Sequence, residues 1–240
     1  MGQAVSPAPL RAFLFTSEKY IMFQIVILFS LLSTLAQAAT PREIAEWAIR
    51  WEGRVTLEGN RQRVTDVSQL PADGFEIVGI DLTGAVMRPA ELEKLNGLVT
   101  LRELYLPGPI WNPGGGNEDA NEVFKIIGGL KHLQKLYVGW HYSASINIRD
   151  TGMKNLTGLT ELTDLRCGQC RITSFNMTPF TKLRSLDLSY NPFNDTGVAG
   201  LAGLKQLRRL ILRDTLVTDE GLKNLSELTQ LEELDLFGTR

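Results

Sequence analysis

Apolar and polar positions alternate along the later part of this chain in a figure that recurs. Laid over one another, LRSLDLSYNPFNDTGVAGLAGLKQ, LRRLILRDTLVTDEGLKNLSELTQ and LEELDLFGTR repeat with a period of 24 residues. The first leucine of each unit falls at Leu183, Leu207 and Leu231, and the register runs back to Leu162, Leu133, Leu101 and Ile77. Unit lengths are therefore 24, 32, 29, 21, 24 and 24 residues. Every unit opens with an L-x-x-L-x-L figure, for instance Leu101-Leu104-Leu106, Leu162-Leu165-Cys167 and Leu207-Leu210-Leu212. Its second and third apolar positions stand two residues apart, so on a strand both point to one side and the residue between them to the other. A second apolar set at spacing three follows, as in Leu92-Leu95-Leu98, Met153-Leu156-Leu159 and Leu222-Leu225-Leu228, which predicts a short helix started by Thr218 or Asp219 in its unit. A strand-helix unit of this size cannot bury its leucines alone. Stacked units predict an α/β solenoid, with a parallel sheet on the concave face and short helices on the convex face.

Residues 39–76 lack the figure and are expected to form an amino-terminal helical cap over the open end of the first repeat. Thr40-Pro41-Arg42-Glu43 is a capping box with proline at the first helical position. Ile44, Trp47, Ala48 and Trp51 then recur at helical spacing up to Gly53, and a short strand is expected over Arg54 to Leu57. The repeats fill 77–240, the last unit being incomplete. Arg240 stands nine residues into its unit with no polar cap over the last leucines, which predicts a fragment or an end covered by another chain.

The pattern L-x-x-L-x-L-x-x-T-x-V-T-D-x-G-L-x-x-L, whole from Leu207 to Leu225, resembles the leucine-rich-repeat family. Its T-D-x-G-L element is similar to the subclass shared by exported bacterial repeat proteins and F-box-type repeats. The resemblance covers 77–240 and implies the solenoid fold and a role in binding. No F-box-like helical segment precedes the repeats.

The amino-terminal segment changes the compartment expected. Ile21 to Ala36 reads IMFQIVILFSLLSTLA, follows Arg11 and Lys19, and leads to the A-x-A site Ala36-Gln37-Ala38. This is the layout of a signal peptide over residues 1–38, cut before Ala39, with Met22 as an alternative start. An uncleaved membrane anchor is the rival reading, although the apolar run is shorter than the roughly 20 residues a spanning helix needs. Export to the periplasm, cell surface or medium follows.

Composition mainly removes options. The 240 residues are 43% hydrophobic and 22% charged with a formal charge of −2, so the basic footprint of nucleic-acid binding is missing. Two histidines and two cysteines leave little material for a metal site or an imidazole base, and neither metal nor cofactor is expected. His132 and His141 have no serine or cysteine partner in sequence. Cys167-Gly168-Gln169-Cys170 has the spacing of thiol oxidoreductases, but Cys167 holds the place of Leu188 and Leu212, and Cys170 that of Asn191, Thr215 and Thr239. Both are therefore expected to be buried, unpaired core fillers, because three residues of extended chain span about 10 Å. In the insertion from Pro107 to Glu122, Gly114-Gly115-Gly116 lacks the lysine of a phosphate loop, and Asn117-Glu118-Asp119 misses calcium-loop spacing. Four N-x-S/T sequons begin at Asn155, Asn176, Asn194 and Asn224.

The candidate site is the face opposite the core. Between the inward strand positions stand Asp81, Tyr105, Tyr137, Arg166, Asp187, Ile211 and Asp235, with Glu103, Lys135, Trp140, Arg209 and Arg213 alongside. The recognition residues expected from these are Tyr105, Tyr137, Trp140, Arg166, Asp187, Arg209, Ile211, Arg213 and Asp235. Tyr105 and Tyr137 share a strand position in consecutive units, so their rings are expected side by side as an aromatic platform, with Trp111 in the adjoining insertion. The chain is read as a non-enzymatic module that binds a protein partner, with membrane contact only if the leader is retained. The alternative is a recognition segment of a larger enzyme with its catalytic domain beyond residue 240.

Overall fold

A computed structural model describes residues 39–60, 62–108, 121–138 and 147–240 of the chain. The expected signal segment, Trp111, Gly114-Gly115-Gly116, Asn117-Glu118-Asp119, Trp140 and His141 lie outside the described residues.

Helix α1 spans Pro41–Arg50, and its capping box forms as the sequence requires. The Thr40 hydroxyl accepts from the Glu43 amide, and the Thr40 amide donates to Glu43 Oε2 at 2.8 Å. The Thr40 amide, then the Thr40 hydroxyl donating to the same oxygen at 2.9 Å, hold the Glu43 carboxyl below its ordinary pKa. Ile44, Ala45, Trp47 and Ala48 are buried along one side of the helix. Strand β1, Arg54–Leu57, pairs antiparallel with β2, Arg63–Val64, and with β3, Ile77–Asp81. The hairpin partner β2 has only two residues and carries no periodic signal; the sequence reading did not contain it.

From β3 onward every pairing is parallel and follows the sequence register. Strands β4 (Glu103–Leu106), β5 (Lys135–Val138), β6 (Asp164–Cys167), β7 (Ser185–Asp187), β8 (Arg209–Ile211) and β9 (Glu233–Asp235) add one per unit. Leu104 stands opposite Leu136, then Leu165, Leu186, Leu210 and Leu234. Leu104, Leu136, Leu186 and Leu210 expose nothing to solvent, as do the third positions Val138, Cys167, Leu188 and Leu212. Burying one such leucine stabilises by about 1.5–3 kcal/mol, and stacking the units is what makes that burial available.

The other layer is tighter than ordinary α-helix. It contains α2 (Asn121–Gly128) and three very short helices, α3 (Arg149–Met153), α4 (Asp195–Ala199) and α5 (Asp219–Leu222). Pro89–Leu95, Lys154–Leu156 and Lys223–Glu227 are 3-10 turns. Spacing three is the period of a 3-10 helix, where residues i and i+3 eclipse, so Leu92, Leu95, Met153 and Leu156 line the core without a full α-helix.

The T-D-x-G-L element has a mechanical meaning. Thr218 caps α5 and also donates from its amide and its hydroxyl to Asp195 of the preceding unit, at 2.8 and 2.7 Å. Asp150 takes the Thr173 amide at 2.9 Å in the same way. A Cβ on Gly221 would lie 2.8 Å from Asp195 Cγ and 3.1 Å from its Cα, so the bracket between units closes only over a glycine.

Candidate binding site on the open face of the sheet

The residue between the two inward positions of each strand falls on the opposite face, and the parallel register lines these residues up. Asp81, Tyr105, Tyr137, Arg166, Asp187, Ile211 and Asp235 form one row across seven strands. The sheet therefore brings together eight of the nine expected recognition residues, Arg209 and Arg213 standing two residues to either side of Ile211; the ninth, Trp140, lies outside the described residues.

Toward β1 and β2 the row is aromatic and cationic. The rings of Tyr105 and Tyr137 are 4.9 Å apart at an interplanar angle of 86°, edge to face rather than side by side in one plane. The Arg63 guanidinium lies 5.3 Å from the Tyr105 ring centre, and that of Arg166 lies 4.9 Å from Tyr137. Arg63 comes from the short β2, so the hairpin contributes to the face. Both tyrosines are half-buried. Burial pushes the Tyr105 phenol up to about 12, helped by the charge of Glu103, to which the phenol donates at 3.1 Å. Burial also pushes the Glu103 carboxyl up, but Lys135 at 2.9 Å outweighs it and holds the group below the usual carboxylate range.

Aspartates on the row share one construction. Asp81 Oδ1 accepts the Thr83 amide and hydroxyl at 3.0 and 2.7 Å, and its Oδ2 takes Arg63 at 2.7 Å and Arg54 at 3.5 Å. Asp187 Oδ1 accepts the Ser189 amide and hydroxyl at 3.0 and 2.6 Å, with Arg166 Nε 3.3 Å from its Oδ2. Asp235 Oδ1 takes the Phe237 amide at 3.0 Å, with Arg213 Nε 2.9 Å from its Oδ2. Asp81 is thereby only 9% exposed, which corrects its expected place as an open-face residue: two arginines from the cap cover it.

Beyond Tyr137 the face opens into a cleft of about 280 Å³ lined by Arg166, Gly168, Asp187, Ser189, Tyr190, Arg209, Ile211, Arg213 and Asp235. Six of these are expected recognition residues. Ile211 departs from the expectation of exposure, being 4% exposed. It lines the cleft between Arg209 and Arg213, which stand two residues to either side of it.

Tyr190 was not foreseen. It is 40% exposed and has φ of 59°. The seventh residue after each unit's first leucine is left-handed in four consecutive units, at Gln169, Tyr190, Asp214 and Gly238. Glycine and aspartate accept that conformation readily, whereas a bulky tyrosine does not. The signal was thus available in the alignment, as an aromatic residue at a turn position suited to glycine.

The same turn corrects the cysteine expectation. Cys167 and Cys170 are both fully buried, as expected, but they form a disulfide. The left-handed Gln169 folds the chain back, so the Cα atoms are 5.8 Å apart instead of about 10 Å. Asn191, one unit on, braces this turn. Its Oδ1 accepts the Cys170 and Ile172 amides at 2.8 and 3.0 Å, and its Nδ2 donates to the Cys167 and Leu188 carbonyls, both at 2.8 Å.

Among the described residues, no group of three or more His, Cys, Asp or Glu is placed to hold a metal ion, and no helix is long and apolar enough to cross a membrane.

A family model described as Leucine Rich repeat matches residues 181–202, which run from the end of one unit through β7 and α4. No curated protein matches the sequence. Among solved structures, internalin C2 of Listeria monocytogenes is 21% identical with a TM-score of 0.45, over 67% of this chain and 80% of its own. A leucine-rich-repeat protein of Leptospira interrogans is 22% identical with a TM-score of 0.43, over 68% of this chain and 44% of its own. With the L-x-x-L-x-L figure set in register on consecutive parallel strands and the repeat model matched on one of them, the described part of 77–240 has the leucine-rich-repeat fold.

Proposed function

We propose that the chain is an exported module that binds a protein partner through the concave, open face of its sheet. The observation that carries this is the continuous row from Arg63 through Tyr105 and Tyr137 to Arg166, which runs directly into the arginine-lined cleft. Tyrosine and arginine on rigid strands offer large contact area with few torsions to freeze, the property that concentrates binding energy at protein interfaces. The leader over residues 1–38, with its basic start, apolar centre and A-x-A exit, supports export, and residues 39–76 serve as the cap of the solenoid. The repeats carry the scaffold and none of their motifs supplies a nucleophile with a base, so the role is recognition rather than catalysis.

The test is selection of binders from a displayed protein library against residues 39–240, followed by affinity measurement on variants. Tyr105→Ala with Tyr137→Ala is expected to weaken the selected binders about 30-fold or more, equivalent to about 2 kcal/mol. Lys223→Ala, in the helical layer, leaves them unchanged. Losing the edge-to-face pair costs the fold about 0.5–1.5 kcal/mol beyond the buried area of the two rings, so circular dichroism and a urea midpoint check that the double variant is folded. Binders indifferent to both tyrosines would remove the open face as the recognition surface.

A further inference from the structure

We infer that the cleft over Ile211 receives the carboxylate of a glutamate or aspartate side chain belonging to an acidic segment of a protein partner. The inference rests on the open face being the recognition surface and names the chemistry it selects. Its basis is how the three arginines are held. Arg166 meets Asp187, Arg209 meets Glu233 and Arg213 meets Asp235, each through Nε. Among the described residues no hydrogen bond engages the two terminal nitrogens of any of the three. A guanidinium anchored at Nε keeps its terminal N–H pair, the edge whose spacing matches the two oxygens of a carboxylate.

The carboxylates already in the cleft do not cancel this. Asp187 and Asp235 each place one oxygen on a backbone amide and the other against an arginine Nε, so their lone pairs are largely committed. The lining contains three arginines and two aspartates, and Glu233 pairs with Arg209, so each arginine has one carboxylate and the cleft offers a ligand terminal N–H edges rather than net charge. The stack of Arg166 on Tyr137 and the contact of Arg213 with Phe237 at 5.2 Å restrain two of the guanidinium planes before any ligand arrives, which lowers the entropy lost on binding. The floor is apolar and the cavity, at about 280 Å³, has room for a side chain and its neighbours but not for a folded element. An acidic segment with apolar neighbours fits both features: carboxylates for the arginine edges, and a methyl-bearing side chain for Ile211.

The experiment titrates the protein with a short blocked peptide alternating glutamate and valine, with its glutamine counterpart, and with inorganic phosphate. The arginine Nε–H resonances are followed by NMR. The glutamate peptide is expected to shift the Arg209 and Arg213 signals and to bind about tenfold or more tighter than the glutamine peptide. Arg209→Lys with Arg213→Lys keeps the charge and removes the fork, and is expected to weaken the glutamate peptide by about tenfold. If that variant does not fold, the wild-type resonances decide alone, and their failure to move overturns the inference. Equal binding of the glutamine peptide, phosphate binding as tight as the glutamate peptide, or full affinity in the lysine variant each overturns it too. Display-selected binders that still require Tyr105 and Tyr137 while the glutamate peptide fails would sink this inference and leave the recognition surface standing.

Discussion

Asn191 is 2% exposed and makes four close hydrogen bonds to backbone groups of its own turn and of the preceding unit. In Asn191→Ala the Cys170 and Ile172 amides lose their acceptor inside the core. An orphaned buried donor costs about 1–3 kcal/mol, so the two amides together cost about 2–6 kcal/mol before the freed carbonyls are counted. A value near 4 kcal/mol is a large share of the ~5–15 kcal/mol that a folded domain commands. With a urea m-value of about 2 kcal/mol/M, the unfolding midpoint falls by about 2 M. Asn191→Thr is the informative companion, because the repeats place Thr215 and Thr239 at this position. There the hydroxyl donates to the carbonyl three residues back, Leu212 at 2.8 Å and Leu236 at 2.9 Å. A threonine at 191 thus restores the Leu188 bond and leaves at least one amide unmet, giving about half the loss. Hydrogen exchange adds a local readout, since the Cys170 and Ile172 amides lose protection ahead of those in β8. An alanine variant with an unmoved midpoint, or a threonine variant as unstable as alanine, would refute the reasoning.

Other outcomes follow from single contacts. Gly221→Ala drives a methyl group into Asp195 and is expected to cost about 1–3 kcal/mol in urea unfolding; a neutral result would show that the bracket between units yields freely. The Thr218 amide, then its hydroxyl, hold the Asp195 carboxyl below its ordinary value of 3.8, so its contribution is complete above that value and is lost as pH falls through the depressed one. Stability in that acid window is expected to be flatter in Asp195→Asn than in the wild type, and parallel pH profiles would count against the bracket. Native protein is expected to resist alkylation and to lack two hydrogens in its unreduced mass, because both sulfurs are buried in a disulfide; rapid thiol labelling of the folded protein contradicts this.

The fold was legible because a repeat turns pairing into alignment. Once Leu183, Leu207 and Leu231 are set in register, the partners of β7, β8 and β9 follow, and alternation assigns each residue its face. Spacing alone does not say how tightly a chain turns. The three-residue period of Leu222, Leu225 and Leu228 suits either kind of helix, and the structure resolves it as one short α turn running into a 3-10 turn. The distance between Cys167 and Cys170 was misjudged for the same reason: extended geometry was carried through a residue, Gln169, whose backbone is left-handed. The β2 hairpin strand stayed hidden because a two-residue strand has no period to detect.

The site was legible to the level of which residues share the face and no further. Alternation places Ile211 beside the arginines but does not reveal that it is buried. Nor does it show which nitrogen of each guanidinium is used, and that choice separates the two ends of the row. At Asp81 both arginines arrive from β1 and β2 and spend terminal nitrogens on the carboxylate, so that end is closed over. At Asp187 the arginine comes from the adjacent parallel β6, and at Asp235 it is Arg213, two residues past the end of β8; both meet the carboxylate with Nε, which leaves the terminal N–H pair outside the ion pair. One aspartate construction thus yields one end where terminal nitrogens are spent and another where Nε is used instead. The difference between the two ends of the row accordingly follows strand topology, antiparallel from β1 to β3 and parallel beyond it, as much as residue type.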